Sequence, residues 1–376
     1  MNCDLMIIFD ISAECNLQCV YCYNYKVVCK KKKMSYQTIL DILNWIKKLE
    51  YKNIVFILHG GEPLTNFNVI EYLFDKVKVL LPEKNIIYSL QTNGLLLNEK
   101  MIEVLNKNNC GISISYDGTS ASRVDYLGNN VANLIENKII NLVERGIKVS
   151  TISVINKLNK NKMIEILDFI SNCGINYFSI NLFMLVGNGE KNENNIGINE
   201  IEAFEATKDI IDYIISYNQK HVINIYETNI SLMVRNIIYR NKKQKLSGCY
   251  RKPCNAGKYV ISFDVEGNIY PCQFFYGLEE SQKYILENIK NVKNKKIKEI
   301  VNNSIVHEIQ EYKMENYDKC RKCAVNKVCG GVCTAIKQEN EEFGYLCKFY
   351  KLIYEYLIKI IAKNPKYIFL LCDGLK

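Results

Sequence analysis

No stretch of this chain reaches the roughly 20 apolar residues that a membrane-spanning helix needs. The first residues, Met1-Asn2-Cys3-Asp4, put no basic segment ahead of the short apolar run Leu5 to Ile11, which suits a buried strand better than the core of a secretory signal. Internal repeats and low-complexity domains are missing, and the basic residues are not interleaved with stacking aromatics into a nucleic-acid-binding module. Strong charge of one sign is lacking too: 49 basic residues against 40 acidic ones leave +9, diluted through an Asn-, Ile- and Lys-rich background, a weak pull toward an acidic partner. These absences set aside membrane insertion, secretion and nucleic-acid binding, and make the cytoplasm the expected compartment.

What the chain does have is length and cysteine. Its 376 residues suffice for one large α/β domain plus a smaller one. Sixteen cysteines without a signal peptide argue for metal rather than disulfides, because reducing compartments keep thiols free.

Short β-branched runs alternate with helix-period segments as far as about Asn218. The runs are Leu5 to Ile11, Ile54 to Leu58, Ile86 to Thr92, Gly111 to Tyr116, Lys148 to Ile155 and Tyr177 to Phe183, each followed by a helical pattern. Six such units with continuously apolar strands predict a parallel sheet, either doubly wound or curled into a partial barrel, with its chemistry at the carboxyl ends of the strands. Four motifs fall there: Cys15 to Cys22, His59-Gly60-Gly61-Glu62-Pro63, Gln91-Thr92-Asn93-Gly94 and Ser115-Tyr116-Asp117-Gly118. The polar stretch Val186 to Ile198 reads as a mobile loop, and Lys30 to Lys33 as a solvated loop that could also steer an acidic peptide. Beyond Tyr226 a helical connector, Asn229 to Lys245, leads to a cysteine-dense region with a hairpin, Tyr259 to Asp264 and Asn268 to Cys272, turning at Glu266-Gly267. An amphipathic helix, Lys348 to Lys363, closes the chain before Pro365.

Cys15, Cys19 and Cys22 can hold three irons of a cubane cluster and leave the fourth without a protein ligand. With Cys29 as a fourth ligand, the same group could instead be a structural zinc site. Gly60 to Pro63 by itself could be a turn between strand and helix, and the Asn-Gly and Asp-Gly pairs are ordinary turn sequences.

At Cys15-x3-Cys19-x2-Cys22, with the aromatic Tyr21 before the third cysteine, the chain resembles the radical S-adenosylmethionine (SAM) enzymes. The resemblance extends to the Gly60-Gly61-Glu62-Pro63 motif, which in that family contacts the amino group of the cofactor. It implies a cluster on Cys15, Cys19 and Cys22 whose open iron binds SAM, with Tyr21, Gly60, Gly61, Glu62, Pro63, Asn93 and Ser115 around the cofactor and His59 near the pocket. The glycines are expected to admit the ligand to the backbone, and Glu62 to meet its ammonium.

The later cysteines, Cys254-x12-Gly267-x4-Cys272 and Cys320-x2-Cys323-x5-Cys329-x3-Cys333, then Cys347, resemble the SPASM extension of that superfamily, with Cys249 upstream as an eighth. The resemblance implies two auxiliary 4Fe-4S clusters, one on Cys249, Cys254, Cys272 and Cys333, the other on Cys320, Cys323, Cys329 and Cys347. A pair of zinc ribbons is the alternative. Cys3, Cys29, Cys110, Cys173 and Cys372 lack partner spacing and read as small hydrophobes.

The fold so implied is a partial (β/α)6 TIM-like barrel over 1–225, a connector over 226–248, the auxiliary-cluster domain over 249–347 and a C-terminal helix and tail over 348–376. The function implied is modification of a peptide or protein by a 5′-deoxyadenosyl radical, foremost the maturation of a ribosomally made peptide by a thioether or other side-chain cross-link. Its partners would be that substrate, an electron donor such as flavodoxin or ferredoxin, and a separate leader-binding protein, since Cys15 stands too near Met1 for a recognition domain. The anaerobic sulfatase maturases are the second reading; those relatives carry an aspartate as proposed base where this chain has Gln273, which leaves Asp264 or Glu266 as substitutes. A non-catalytic iron–sulfur carrier is the third.

Overall fold

The computed structural model describes residues 4–28, 31–239, 254–292, 295–311, 317–335 and 344–374. Six parallel strands, β1 (Leu5–Ser12), β2 (Asn53–Gly60), β3 (Asn85–Thr92), β4 (Gly111–Ser115), β5 (Val149–Ile155) and β6 (Tyr177–Leu182), lie side by side in chain order. The principal helix after each is α1 (Tyr36–Lys47), α2 (Phe67–Leu80), α3 (Glu99–Lys107), α4 (Ala132–Glu144), α5 (Met163–Asn172) and α6 (Glu200–Lys220). The caps are local and readable. Ser35 accepts the Thr38 amide at the start of α1, and Asn199 with Glu202 forms a capping box that starts α6. All six predicted units are present in the predicted order.

The two faces of the sheet differ in chemistry. Toward the helices, Phe56 meets Tyr88 edge-on and Tyr88 meets Phe74 of α2, in a layer that also buries Ile54 and Leu58. The opposite, concave face carries Asp10, His59, Ser89, Gln91, Ser113, Ser115, Ser150, Ser179 and Asn181, as the strand register requires. The strands are therefore not continuously apolar as expected: β3, β4 and β6 alternate and place hydroxyls and amides at most inner positions, whereas β5 turns Ile152 and Val154 inward with Ser150 and buries Thr151 and Ser153 on the helix side. A closed barrel fills its interior with branched apolar side chains; this one keeps a polar, partly accessible hollow.

The sheet does not stop at the barrel. β7 (Tyr226–Glu227) extends it beyond β6, and α7 (Thr228–Ile238) follows. On the other edge the cysteine-dense region adds β8 (Val260–Phe263), β9 (Asn268–Tyr270) and β10 (Glu287–Asn288). β8 runs parallel to β1, with Met6 opposite Val260 and Phe9 opposite Phe263, and Phe263 stacks on Phe9 and against Trp45 of α1. The hairpin was predictable from its turn, where Gly267 takes φ +82 and the Asp264 carboxylate accepts the amides of Glu266 and Asn268, each at 2.9 Å. Its docking on the barrel was not.

The closing helix, α8 (Gly344–Lys363), lies against α6 through Phe204 and Tyr356 and an ion pair of Lys348 with Glu200. Asn218 of α6 donates to the carbonyl of Leu370 beyond it at 2.7 Å. The stretch Val186 to Ile198 departs from expectation. It forms two short helical turns, Asn188–Lys191 and Glu193–Ile196, and buries Val186, Ile196 and Ile198. Cys110 and Cys372 are buried as expected, Cys173 is half-buried, and Cys3, Cys29 and Cys249 lie outside the described residues.

Candidate active site

The loop that follows β1 carries Cys15, Cys19 and Cys22, all half-buried. It is held by the segments that follow β4 and β6. The Gln18 amide donates to the Val124 carbonyl at 2.8 Å, and Val20 to Ser122 at 3.1 Å. Tyr126 donates its hydroxyl to the carbonyl of Cys15 at 2.6 Å. From the segment after β6, the Asn188 amide donates to the Cys22 carbonyl at 2.9 Å and the Asn192 side chain to that of Val20 at 3.0 Å. Gly187, at φ +63, makes that approach possible, since a Cβ there would stand 2.6 Å from the Tyr23 carbonyl oxygen. The segment expected to be mobile is thus a brace for the cysteine loop.

Glu62 lies beneath this loop, 1% exposed. Its Oε1 accepts from the Leu64 amide at 3.1 Å and the Thr92 hydroxyl at 2.7 Å, and its Oε2 accepts from the Asn93 amide at 2.8 Å. A carboxylate offers about four lone pairs, so one remains for an incoming cation. Burial raises the Glu62 pKa, opposed by these donors. Asn93 extends the connection, its side chain donating to Asn16 at 2.8 Å and reaching Cys15 Sγ at 4.0 Å. Pro63 starts the short turn Pro63–Asn66 and is buried.

Gly60 and Gly61 also make a close approach within the chain. A Cβ on Gly60, whose φ is +135, would lie 2.3 Å from the Ser12 carbonyl oxygen, and one on Gly61 would lie 2.5 Å from that of Glu14. The amides of Gly61 and Glu62 donate to those same two oxygens, both at 2.7 Å. The glycines admit the backbone leading into the cysteine loop, and thereby seat the loop over Glu62.

Tyr21 turns inward and donates its hydroxyl to Asp117. Asp117 also accepts the Val154 amide at 2.7 Å and stands 2.7 Å from Nε of Arg123, an ion pair rather than an aligned hydrogen bond. The Arg123 guanidinium in turn reaches Cys19 Sγ through Nη1 at 3.7 Å and lies over the Tyr21 ring, 5.5 Å from its centre. Sequence reasoning missed both charged residues: Asp117-Gly118 looked like an ordinary turn, and Arg123 stood in no motif. Ser115 is half-buried at the end of β4, in register with Ile152, and the link from that strand end to the cysteine loop runs through Asp117.

A second buried chain starts at Tyr23. Its hydroxyl lies 3.4 Å from Nε2 of His59, whose Nδ1 lies 3.1 Å from Asp10, and Asp10 and His59 face each other across β1 and β2. Burial, then Asp10, Cys22 and Cys272, push the Tyr23 phenol well up. Tyr23 therefore sits between the barrel's cysteine loop and the C-terminal cysteine region. The short helix Gln273–Gly277, which opens directly after Cys272, closes this wall: the Phe274 ring is centred 5.1 Å from that of Tyr23, and a Cβ on Gly277 would lie 3.0 Å from Asn24.

Of the two substitutes for the base, Asp264 lies near Asp10, whose charge adds to the effect of burial in raising its pKa, and Glu266 stands apart. Asp264 is engaged in its own turn, and Glu266 is half-exposed and paired with Lys32 at 2.8 Å. Lys33 pairs with Glu14 at 3.0 Å, so this end of the lysine run is tied to the site's rim.

The thiols fit an iron–sulfur cluster better than a single ion. Burial, then Glu62, push the Cys15 thiol up to about 12, with Cys19 and Cys22 adding to the rise, so holding these sulfurs as thiolates calls for bound positive charge. Among the described residues no three His, Cys, Asp or Glu side chains converge on one point as a mononuclear zinc would require. Thiolates serving different irons of a cubane stand farther apart. Within the C-terminal region, burial first and then the nearby Cys323 raise the Cys347 pKa. Cys254, Cys272, Cys329 and Cys333 are half-buried and Cys320 is buried.

The family model of the Radical SAM superfamily matches residues 10–170, and that of the SPASM iron–sulfur cluster-binding domain matches 254–324. The chain is 24% identical to a cysteine-type anaerobic sulfatase-maturating enzyme of Clostridium novyi, covering 93% of this chain and 94% of the relative. It is 26% identical to the radical SAM cyclopropyl synthase TigE of Paramaledivibacter caminithermalis, covering 96% and 74%. Among solved structures, native anSMEcpe with bound AdoMet superposes with a TM-score of 0.81 at 19% identity, over 96% of this chain and 98% of that one. Streptococcus suis SuiB bound to its precursor peptide SuiA superposes at 0.64 and 18%, over 92% and 75%.

Proposed function

The chain belongs to the radical SAM superfamily and carries a SPASM iron–sulfur cluster-binding domain after its barrel, and from that premise we propose that it is an oxidative peptide maturase, joining side chains of a ribosomally made peptide through a thioether or another cross-link. SAM on the open iron of a 4Fe-4S cluster supplies a primary carbon radical able to take a hydrogen atom from an unactivated carbon.

The residues divide the remaining work. Cys15, Cys19 and Cys22 hold the cluster. Glu62 receives the cofactor's ammonium on its spare lone pair, with Asn93 and Ser115 at neighbouring strand ends and Tyr21 behind. The hydroxyl- and amide-lined hollow admits a peptide backbone, which needs hydrogen-bonding partners wherever it leaves water. Cys254, Cys272 and Cys333, with Cys249, would hold one auxiliary cluster, and Cys320, Cys323, Cys329 and Cys347 the other; such clusters would supply an acceptor for the electron that a substrate radical gives up. A flavodoxin or ferredoxin delivers the incoming electron, and a separate protein presents the leader.

One observation carries this reading: the helix that begins at Gln273 packs on Tyr23, so the wall behind Cys272 and the loop of Cys22 meet at one place. That suits a substrate radical formed near one cluster and oxidised near another.

The sulfatase-maturase reading is favoured by the Clostridium novyi relative. The cyclopropyl synthase is as similar, so identity does not separate them. The chemistry at Gln273 does weigh: an amide cannot accept the proton that formylglycine formation releases.

The test is anaerobic reconstitution of the full chain with iron, sulfide, SAM and dithionite. Short peptides encoded beside its gene, and a cysteine peptide of sulfatase type, are the substrates. A peptide mass lower by two hydrogens, with 5′-deoxyadenosine formed, is expected. Formylglycine in the sulfatase peptide would replace this reading with the second, and no 5′-deoxyadenosine with any peptide would defeat both.

A further inference from the structure

A guanidinium within reach of a cysteine sulfur at an iron–sulfur site calls for explanation. Arg123 bridges two groups: Nη1 lies 3.7 Å from Cys19 Sγ, and Nε lies 2.7 Å from Asp117. Its side chain is 10% exposed and that of Asp117 1%. A buried ion pair is a poor source of stability, because desolvation consumes most of the Coulombic gain. Asp117 does not depend on it for anchorage, since Tyr21 and the Val154 amide already donate to it. What the pair does is put one fixed positive charge beside a cluster sulfur and one fixed negative charge just behind it.

Reduction adds an electron to a cluster, and the potential depends on net charge, hydrogen bonds to the sulfurs and exposure. A cation beside Cys19 favours the electron-rich state and an anion opposes it. The contacting partner dominates, because interaction falls with distance and water does not screen buried groups.

We propose that the Arg123–Asp117 pair sets the reduction potential of the cluster held by Cys15, Cys19 and Cys22, with Arg123 raising it and Asp117 limiting the rise. This makes Arg123 a positioning residue for electron delivery. It rests on Cys19 as an iron ligand, and is independent of which peptide the enzyme modifies.

The two members of one ion pair then have opposite effects, which a structural tie would not produce. The experiment is an EPR-monitored redox titration of the reconstituted full chain without SAM, following the signal that SAM addition perturbs. R123Q is expected to lower the reduced-to-oxidised ratio at fixed potential by about tenfold, a shift of about 59 mV for one electron. D117N is expected to shift it the other way, and R123K to stay near the wild type. Shifts of equal sign in R123Q and D117N, or no shift in either, would overturn the proposal. So would weaker SAM binding in R123Q at an unchanged potential, which would make Arg123 a cofactor contact alone. Should R123Q take up no iron, D117N decides alone: an upward shift supports the proposal, and a downward or absent shift overturns it. A wild-type chain with no SAM-responsive signal would defeat the cluster assignment itself.

Discussion

The two cysteine regions are built on opposite principles. The loop from Cys15 to Cys22 is bound by hydrogen bonds to the segments after β4 and β6, and rests on the glycine floor of β2. Between Cys254 and Cys333 no described helix or strand exceeds the eight residues of Ser304–Glu311. Such short elements have little stability of their own, and their large apolar side chains, Phe263, Ile269, Phe275 and Ile289 among them, are buried in the core they share with the barrel. The barrel presents its thiols from a finished scaffold; the C-terminal region is built of short elements seated on the barrel through the strand it lends to β1 and the packing of Phe263 on Trp45, with its thiols set between them.

Stripping iron from the holoenzyme should break this comparison most visibly. Hydrogen-exchange protection is expected to collapse across 254–335 while β1 to β6 stay protected. Equal loss in both regions, or in neither, would refute the division.

Gly60→Ala tests the barrel side. With φ at +135 and a carbonyl oxygen 2.3 Å from the added Cβ, the strand must give way, and a loss of roughly 3–5 kcal/mol is expected by denaturant melting.

The pH response sharpens the contrast from another direction. Glu227, at the N-terminus of α7, is pushed up to about 7 by burial, against the amides of Ile230 and Ile180 that favour its charged form. The folded chain then holds a proton that the unfolded chain, with its carboxyl near 4.5, has released. Stability should therefore fall as pH rises from about 4.5 to 7, by roughly 3 kcal/mol, and E227Q should flatten that slope. A slope in E227Q equal to that of the parent would remove Glu227 from the account.

Gly267→Ala gives the smallest effect. Its φ, +82, is also positive, but the added Cβ meets a side-chain methyl, Cγ2 of Ile289 at 2.5 Å, rather than a backbone oxygen. About 1–2 kcal/mol is expected; a loss as large as that of Gly60→Ala would mean that the hairpin is as rigidly seated as the barrel.

Much of the fold was legible because its signals are local. Alternation and period locate six βα units, Ser35 and Asn199 mark helix starts, and Glu266-Gly267 marks the hairpin turn. The candidate site was half legible. Cys15, Cys19, Cys22, Glu62 and Asn93 come together as their motifs implied. Arg123, Asp10 and the brace at Asn188 and Asn192 did not show, since single polar residues far apart in sequence carry no spacing signal. The approach of Gly60 and Gly61 to the Ser12 and Glu14 carbonyls did not show either, because that partner is the chain's own backbone, which carries no residue-type signal.

The sequence by itself determined the thiols and their spacing, the order of the barrel units and the place of Gln273, because spacing and residue type are properties of neighbours along the chain. Tertiary structure alone decided that the hairpin at Val260 pairs with β1, that Tyr23 stands between Cys22 and Cys272, and that Arg123 reaches Cys19. Those contacts join residues separated by a hundred positions or more, and only burial of the shared core brings them within range.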